Sequence, residues 1–193
     1  ETRTAAAPRQ SVRRGAELQG AEHPAEKNRL VTPDIPASFT GMIRGIDHLN
    51  IVVTDLARAV KFYTEVLGFR KTHDVTMEGE WIEAIVGLRG VKGLVAFVEP
   101  PGGGVRIELL QYLAPAGVAR PENSRANTLG LRHIALRVDD IASLTARLRA
   151  AGVTLFSDPV QVPAGVVKFA AGDKTLVYFL DPDGVILELA EYR

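Results

Sequence analysis

Two histidines and two glutamates occur at matching places in two similar stretches of the sequence. GIDHLNIVVTDL at 45–56 resembles GLRHIALRVDDI at 130–141, and each stretch has a His at its fourth position. VRIELLQY at 105–112 likewise resembles VILELAEY at 185–192, and each has a Glu at its fourth position. The four residues are His48, Glu108, His133 and Glu188. Two imidazoles and two carboxylates suit Zn, Ni, Co, Mn or Fe(II), so the repeat predicts one divalent metal site.

Each of these residues also has a structural interpretation when it is taken alone. A single His in a strand is more often a surface or core residue than a ligand, and Glu108 could form a salt bridge with Arg106 or Arg137. The chain has only 4 histidines, however, and two of them fall at equivalent places in the repeat. A carboxylate among apolar side chains must be paired, bound to a cation or exposed. The joint pattern therefore favours the metal site.

The elements that must position these residues are repeated as well. Each half begins with a predicted strand, at 46–53 and 131–138, and an Asp that suits the N-cap of a helix follows, Asp55 or Asp140. Three further strands are predicted after each helix. In the first half they lie near 69–76, 92–99 and 105–112, and in the second near 153–160, 165–170 with 175–180, and 185–192. Residues 78–87 are predicted to form a short helical or looped insert.

The repeat predicts an α+β fold of two βαβββ modules that form a cupped mixed sheet around the metal site. A duplicated unit of this kind has an open sheet that the other unit must cover. The predicted division is a flexible N-terminal extension at 1–41, a first module at 42–115, a connector at 116–129 and a second module at 130–193. Alternation along the strands places Asn50 beside His48, and Arg137 beside His133, on the same faces.

The ligand order on a duplicated strand-helix-three-strand module resembles the vicinal oxygen chelate superfamily. That superfamily includes glyoxalase I, methylmalonyl-CoA epimerase, extradiol dioxygenases and bleomycin resistance proteins. The resemblance covers residues 44–193 and includes the DPDG turn at 181–184. It implies two modules around one metal ion, and a homodimer. Glutamate at position 108 resembles glyoxalase I, whereas the epimerase commonly has Gln there.

The resemblance implies a divalent-metal-dependent lyase or isomerase of the glyoxalase type, with Ni, Zn, Co or Mn as its ion. The ion would polarise a substrate carbonyl and stabilise the enediolate or enolate that forms when the neighbouring carbon loses its proton. Glu188 or Glu108 is the candidate catalytic base, and the likeness to glyoxalase I favours Glu188. Glyoxalase I usually has an Arg and an Asn for glutathione where this chain has Val52 and Tyr112.

Two other functions of the same fold stay open, together with a set of substrate-binding candidates. One is an extradiol-type ring-cleaving dioxygenase, which would use Fe(II) and consume oxygen. The other is a small-molecule binding or resistance protein without turnover. Candidates for contact with the substrate are Trp81, Arg137, Asn50 and Tyr112, although the single Trp is as often a packing residue.

The composition disfavours several classes of partner. Lys and Arg number 23, as do Asp and Glu, so a net charge of zero gives no general attraction to nucleic acid or an anionic membrane. There is no cysteine, which excludes disulfides and thiolate ligands. No apolar run approaches the roughly 18 residues of a membrane span. The sequence therefore predicts a cytoplasmic protein with a small-molecule substrate.

Overall fold

The computed structural model describes residues 42–121, 124–163, 165, 167 and 169–193. The extension predicted at 1–41 lies outside these residues. The first module contains β1 (His48–Val52), α1 (Leu56–Lys61, continued by a π-helical turn at Phe62–Val66), β2 (Arg70–Glu78), α2 (Glu80–Val86), β3 (Lys92–Glu99) and β4 (Arg106–Ala114). The second contains β5 (His133–Arg137), α3 (Ile141–Ala150), β6 (Val160–Gln161), β7 (Lys174–Leu180) and β8 (Ile186–Tyr192).

Each module folds into a four-stranded mixed sheet with the same topology. The strand orders are β1-β4-β3-β2 and β5-β8-β7-β6. The first strand of each module pairs in parallel with its last strand, and the remaining pairs are antiparallel. This arrangement confirms the predicted α+β fold of two βαβββ modules, with α2 as an additional helix in the first.

The helix that follows the first strand is anchored in the same way in both modules. The Asp55 side chain accepts a hydrogen bond from the Arg58 N–H, and Asp140 accepts one from the Ser143 N–H, which confirms both predicted N-caps. The last strand adds a second acceptor. Gln111 Oε1 accepts from the Leu56 N–H at 2.9 Å, and Glu191 Oε1 accepts from the Ile141 N–H at 3.3 Å. None of the helices in the described ranges is long and apolar enough to cross a membrane.

One shared core holds the two modules together. Buried residues of both modules form a single apolar cluster that includes Ile51, Tyr63, Leu109, Leu148 and Leu187. Polar contacts at its edge also cross between the modules. Tyr63 donates from its hydroxyl to Asp181 at 3.3 Å, and the guanidinium of Arg58 lies 3.0 Å from the Asp183 carboxylate.

The predicted strands at 153–160 and 165–170 are wrong in extent. Among the described residues of 153–170, only Val160–Gln161 forms a strand, Leu155 makes an isolated bridge to Phe179, and those of 165–170 are turn and loop. Pro159 and Pro163 flank the short strand, and proline has no N–H to donate to a neighbouring strand. The apolar composition of this segment favoured a strand that its prolines interrupt.

Candidate metal centre

The first His–Glu pair lies where β1 and β4 run side by side. Their parallel register places Asn50 opposite Glu108. The imidazole Nε2 of His48 is 3.5 Å from Glu108 Oε2. The Asn50 amide donates a hydrogen bond of 2.7 Å to the same carboxylate oxygen. Asn50, a predicted substrate contact, is therefore positioned to orient Glu108.

Asp47 fixes the His48 ring from the opposite side. Its Oδ2 atom lies 2.8 Å from His48 Nδ1 and 2.6 Å from the Arg106 guanidinium. The hydrogen bonds with His48 and then Arg106 lower the pKa of Asp47 below its usual value. A carboxylate on Nδ1 favours the tautomer that leaves the Nε2 lone pair free, which is the usual arrangement behind a metal-ligating histidine. Sequence analysis missed Asp47, although its position next to His48 was the available signal.

The second pair is built in the same way by β5 and β8. His133 Nε2 is 3.3 Å from Glu188 Oε2, and the Tyr178 ring lies beside the imidazole with centroids 5.0 Å apart. Glu188 is only 2% exposed. Burial and then the Glu188 charge raise the pKa of the Tyr178 hydroxyl.

Lys174 is the charge partner of the buried Glu188. Its Nζ lies 2.5 Å from Glu188 Oε1, so the two side chains form an ion pair. The Lys174 side chain is 14% exposed. Burial disfavours its charged form, but the Glu188 carboxylate raises the pKa of Lys174 above its ordinary value. Sequence analysis missed Lys174 because its partner lies 14 residues away on the next strand, and a lysine taken alone is usually solvated.

Both pairs have the spacing of two ligands on one ion. A direct N–H···O hydrogen bond spans about 2.7–3.2 Å. Two ligands at about 2.0–2.1 Å from a tetrahedral zinc lie roughly 3.3–3.4 Å apart. The observed separations are 3.5 Å and 3.3 Å. The donor types and the spacing within each pair therefore fit two ligands of a divalent metal ion.

The four predicted ligands form two half-sites rather than one cluster. Within the described part of the chain, no three His, Asp or Glu side chains lie close enough to hold an ion together. The half-sites nevertheless flank one junction, because Leu49 of β1 and Ile134 of β5 line the same two cavities. The first strands of the two modules are therefore neighbours.

Comparison with known proteins identifies the family. A sequence model of the Glyoxalase/Bleomycin resistance protein/Dioxygenase superfamily matches residues 45–189. The chain belongs to this superfamily. A 2-epi-5-epi-valiolone epimerase of Actinomyces sp is 31% identical over 147 residues, which cover 75% of this chain and 77% of the relative. A probable lactoylglutathione lyase of Vibrio parahaemolyticus is 31% identical over 148 residues, which cover 76% and 89% of the two chains.

A solved structure from the superfamily has the same architecture. The crystal structure of a glyoxalase family protein from Bacillus cereus matches with a TM-score of 0.65 at 29% sequence identity. The match covers 77% of this chain and 94% of that protein. The resemblance inferred from the repeated modules is thereby confirmed at the level of family and fold.

The remaining substrate-binding candidates lie in different surroundings. Trp81 lies in the first turn of α2 and is 55% exposed. Ile82 of the same helix packs into an apolar cluster to which Tyr112 also belongs, so α2 covers part of the first module's His-bearing face. The Arg137 guanidinium lies 5.4 Å from the centre of the Tyr192 ring. Among the described residues Glu108 forms no salt bridge with an arginine, and Arg106 pairs with Asp47 instead.

Proposed function

We propose that this superfamily member is a divalent-metal-dependent lyase or isomerase. It would remove a proton from the carbon next to a substrate carbonyl. The observation that carries the proposal is the matched pair of half-sites, each with a His Nε2 and a Glu Oε2 separated by 3.3–3.5 Å. Relatives named as an epimerase and a probable lyase support an enzyme of this kind. A homodimer and a cytoplasmic location stay predictions from the sequence.

The chain's own residues divide the work of binding the ion and moving the proton. When bound, the ion supplies Lewis-acid chemistry that polarises a carbonyl and stabilises negative charge on its oxygen. His48 and His133 would hold it through Nε2, and Asn50 keeps Glu108 in place. Glu188 is the base in this proposal, because Lys174 fixes its Oε1 while Oε2 faces the His133 side. Apolar neighbours such as Ile186 and Ala190 keep water away from that carboxylate.

Hydrogen–deuterium exchange into substrate tests the assignment of Glu188. The native chain, loaded with Ni or Zn in deuterated water, should exchange the proton next to the carbonyl in a panel of 2-hydroxy ketones and 2-oxo acids, followed by NMR. Glu188→Gln retains the shape of the side chain and should abolish the exchange in protein that is folded and loaded with metal. Glu65→Gln, an exposed glutamate on the first helix, is the matched control and should exchange normally. Exchange that persists in Glu188→Gln would show that Glu188 is not the base.

The same preparations separate the two alternative functions. Oxygen uptake with catechols after loading with Fe(II) would replace the lyase or isomerase proposal by a dioxygenase. Saturable binding of a panel compound without exchange or product would replace it by a binding or resistance protein. The proposal predicts neither result.

A further inference from the structure

A small cavity opens beside the second half-site, on the same face of the sheet. It has a volume of about 420 Å³ and is lined by residues of β5 and β8 and of the 169–171 loop, namely Ala135, Arg137, Phe169, Ala170, Ala171, Ala190 and Tyr192. Ala135 and Arg137 follow His133 at alternate positions on β5, so all three share one face. A molecule held at Glu188 and His133 can therefore extend into this cavity.

The charge of the cavity selects an anion. Arg137 is its single ionised side chain, since the other lining residues of the described chain are alanines and aromatics. Arg137 is exposed and forms no salt bridge with a carboxylate of the described residues, in contrast with Arg58 and Arg106, which pair with Asp183 and Asp47. Its guanidinium lies over the Tyr192 ring at 5.4 Å, which restrains it without using its N–H donors.

Lys174, a second cation near the same aromatic rings, is paired with Glu188 and is not one of the residues that line the cavity. The Lys174 ammonium lies 5.6 Å from the centre of the Phe169 ring and 5.9 Å from that of Tyr192. Its pairing with Glu188 leaves Arg137 as the group that can contact a ligand directly. A guanidinium presents two parallel N–H groups, which match the two oxygens of a carboxylate.

The strand register sets the distance between this cation and the half-site. Ala135 is the register partner of Glu188, and Arg137 is the partner of Ala190. Two residues of a strand span roughly 6.5–7 Å. A substrate that reaches from Glu188 to Arg137 therefore needs a linker of several bonds between its carbonyl and its distal carboxylate.

We infer that the second module contains an anion subsite in which Arg137 binds a distal carboxylate of the substrate. This inference rests on the proposed function and deepens it, because it names the substrate class. The class is a carbonyl compound that carries a carboxylate several bonds from its carbonyl carbon. The alanines that line the cavity leave room for the linking methylene groups.

Two oxo acids of equal length test the subsite. 2-Oxoadipate and 2-oxohexanoate share six carbons and the oxo-acid end, and only the former has the distal carboxylate. Their affinities for the full chain are measured by calorimetry, with and without added Ni. We expect the native protein to bind 2-oxoadipate about tenfold more tightly than 2-oxohexanoate, because one charge-assisted hydrogen-bonded pair contributes about that much affinity.

Variants of Arg137 show whether this residue causes the preference. Arg137→Gln should weaken 2-oxoadipate binding about tenfold and leave 2-oxohexanoate binding unchanged, and Arg137→Lys should retain part of the preference. Arg149→Gln, an arginine of α3 that pairs with Asp158, is the matched control and should behave like the native chain.

Two results would overturn the subsite. One is a native protein with no preference for 2-oxoadipate, including one that does not bind it at millimolar concentration. The other is a preference that survives in Arg137→Gln. Failure of the proposed function looks different, because Ni would then leave both affinities unchanged while the dependence on Arg137 remained.

Discussion

At the scale of single residues, the two half-sites have different electrostatic surroundings. His48 and Glu108 are held by a carboxylate and an amide, from Asp47 and Asn50. Glu188 is instead buried against the cation of Lys174. In the first half-site the cation, Arg106, pairs with Asp47 behind the His48 ring, whereas in the second the cation pairs with the candidate ligand Glu188 itself and reduces its attraction for a metal ion.

Replacing Asp47 by Asn tests the support behind His48. Loss of the carboxylate on Nδ1 removes the group that orients the ring, and such partners typically contribute about 10–100-fold in metal affinity. We expect Asp47→Asn to weaken Ni or Zn binding by that factor in competition with a chelating dye. The exposed Asp74, which pairs with Lys71 on β2, provides the control Asp74→Asn. Equal metal affinity in the two variants would contradict this role.

Replacing Lys174 by Met tests the ion pair at Glu188. Removing one partner leaves a buried carboxylate uncompensated, so the metal-free protein should lose about 3–5 kcal/mol of unfolding free energy. Metal affinity should rise, because a like charge beside the ion is gone. Lys92→Met, which breaks an exposed pair with Glu78, should change neither quantity appreciably. Denaturation with and without Ni measures both effects, and an unchanged stability of metal-free Lys174→Met would refute the pairing.

The four candidate ligands stand out in the sequence, whereas Asp47 and Lys174 beside them do not. Each half of the repeat has a His and a Glu at the same places, which singles out His48, Glu108, His133 and Glu188. Lys174 starts a strand that pairs antiparallel with β8, and its side chain reaches along the sheet to Glu188. Such a contact depends on register and on side-chain direction, which a single sequence does not specify.

At the scale of elements, the turn before β8 joins the two modules. Asp181 accepts backbone hydrogen bonds from Asp183 at 2.9 Å and Val185 at 2.7 Å, and it receives the Tyr63 hydroxyl at 3.3 Å. Burial raises the pKa of Asp181 above its ordinary value. Burial and the Asp181 charge raise the pKa of the Tyr63 hydroxyl well above its ordinary value.

This raised pKa gives Asp181→Asn an unusual expected effect. The folded state binds the Asp181 proton more tightly than the unfolded chain does. The contribution of Asp181 to the unfolding free energy therefore falls as the pH rises from 3.8, its ordinary pKa, through the folded pKa. Asn is neutral and retains an oxygen for both backbone N–H groups. Asp181→Asn should therefore be more stable than the native chain at pH 7, and the advantage should shrink toward pH 4. Denaturant midpoints across this range test the sign, and a loss of stability at pH 7 would contradict it.

Local signals explain which elements were predicted well. The helix starts at Asp55 and Asp140 depend on a side chain three residues from its partner, so the sequence contained all the information. The strand predicted at 153–160 is reduced to an isolated bridge between Leu155 and Phe179 and the short β6, because Pro159 and Pro163 flank the only residues that continue the pairing with β7. The 78–87 insert resolves into α2, whose position over the first module's His-bearing face required the folded sheet.

At the scale of the whole molecule, the repeat predicted two modules but not the way in which they meet. The two cavities that Leu49 and Ile134 line together place β1 and β5 at one junction. The half-sites on either side of that junction belong to one chain, and the proposal that one ion binds all four residues requires the two half-sites to meet there. Exchange of modules between two copies is the competing arrangement.

Metal content per chain, measured by plasma mass spectrometry after purification without chelator, tests this central claim most directly. The samples are the native chain, His48→Ala, His133→Ala, an equimolar refolded mixture of these two variants, and His73→Ala as the control from outside the half-sites. We predict about one divalent ion per native chain and per control chain, and none in either ligand variant or in their mixture. Metal in only the mixture would mean that two copies share each site, and native chains without metal after reconstitution would contradict the account.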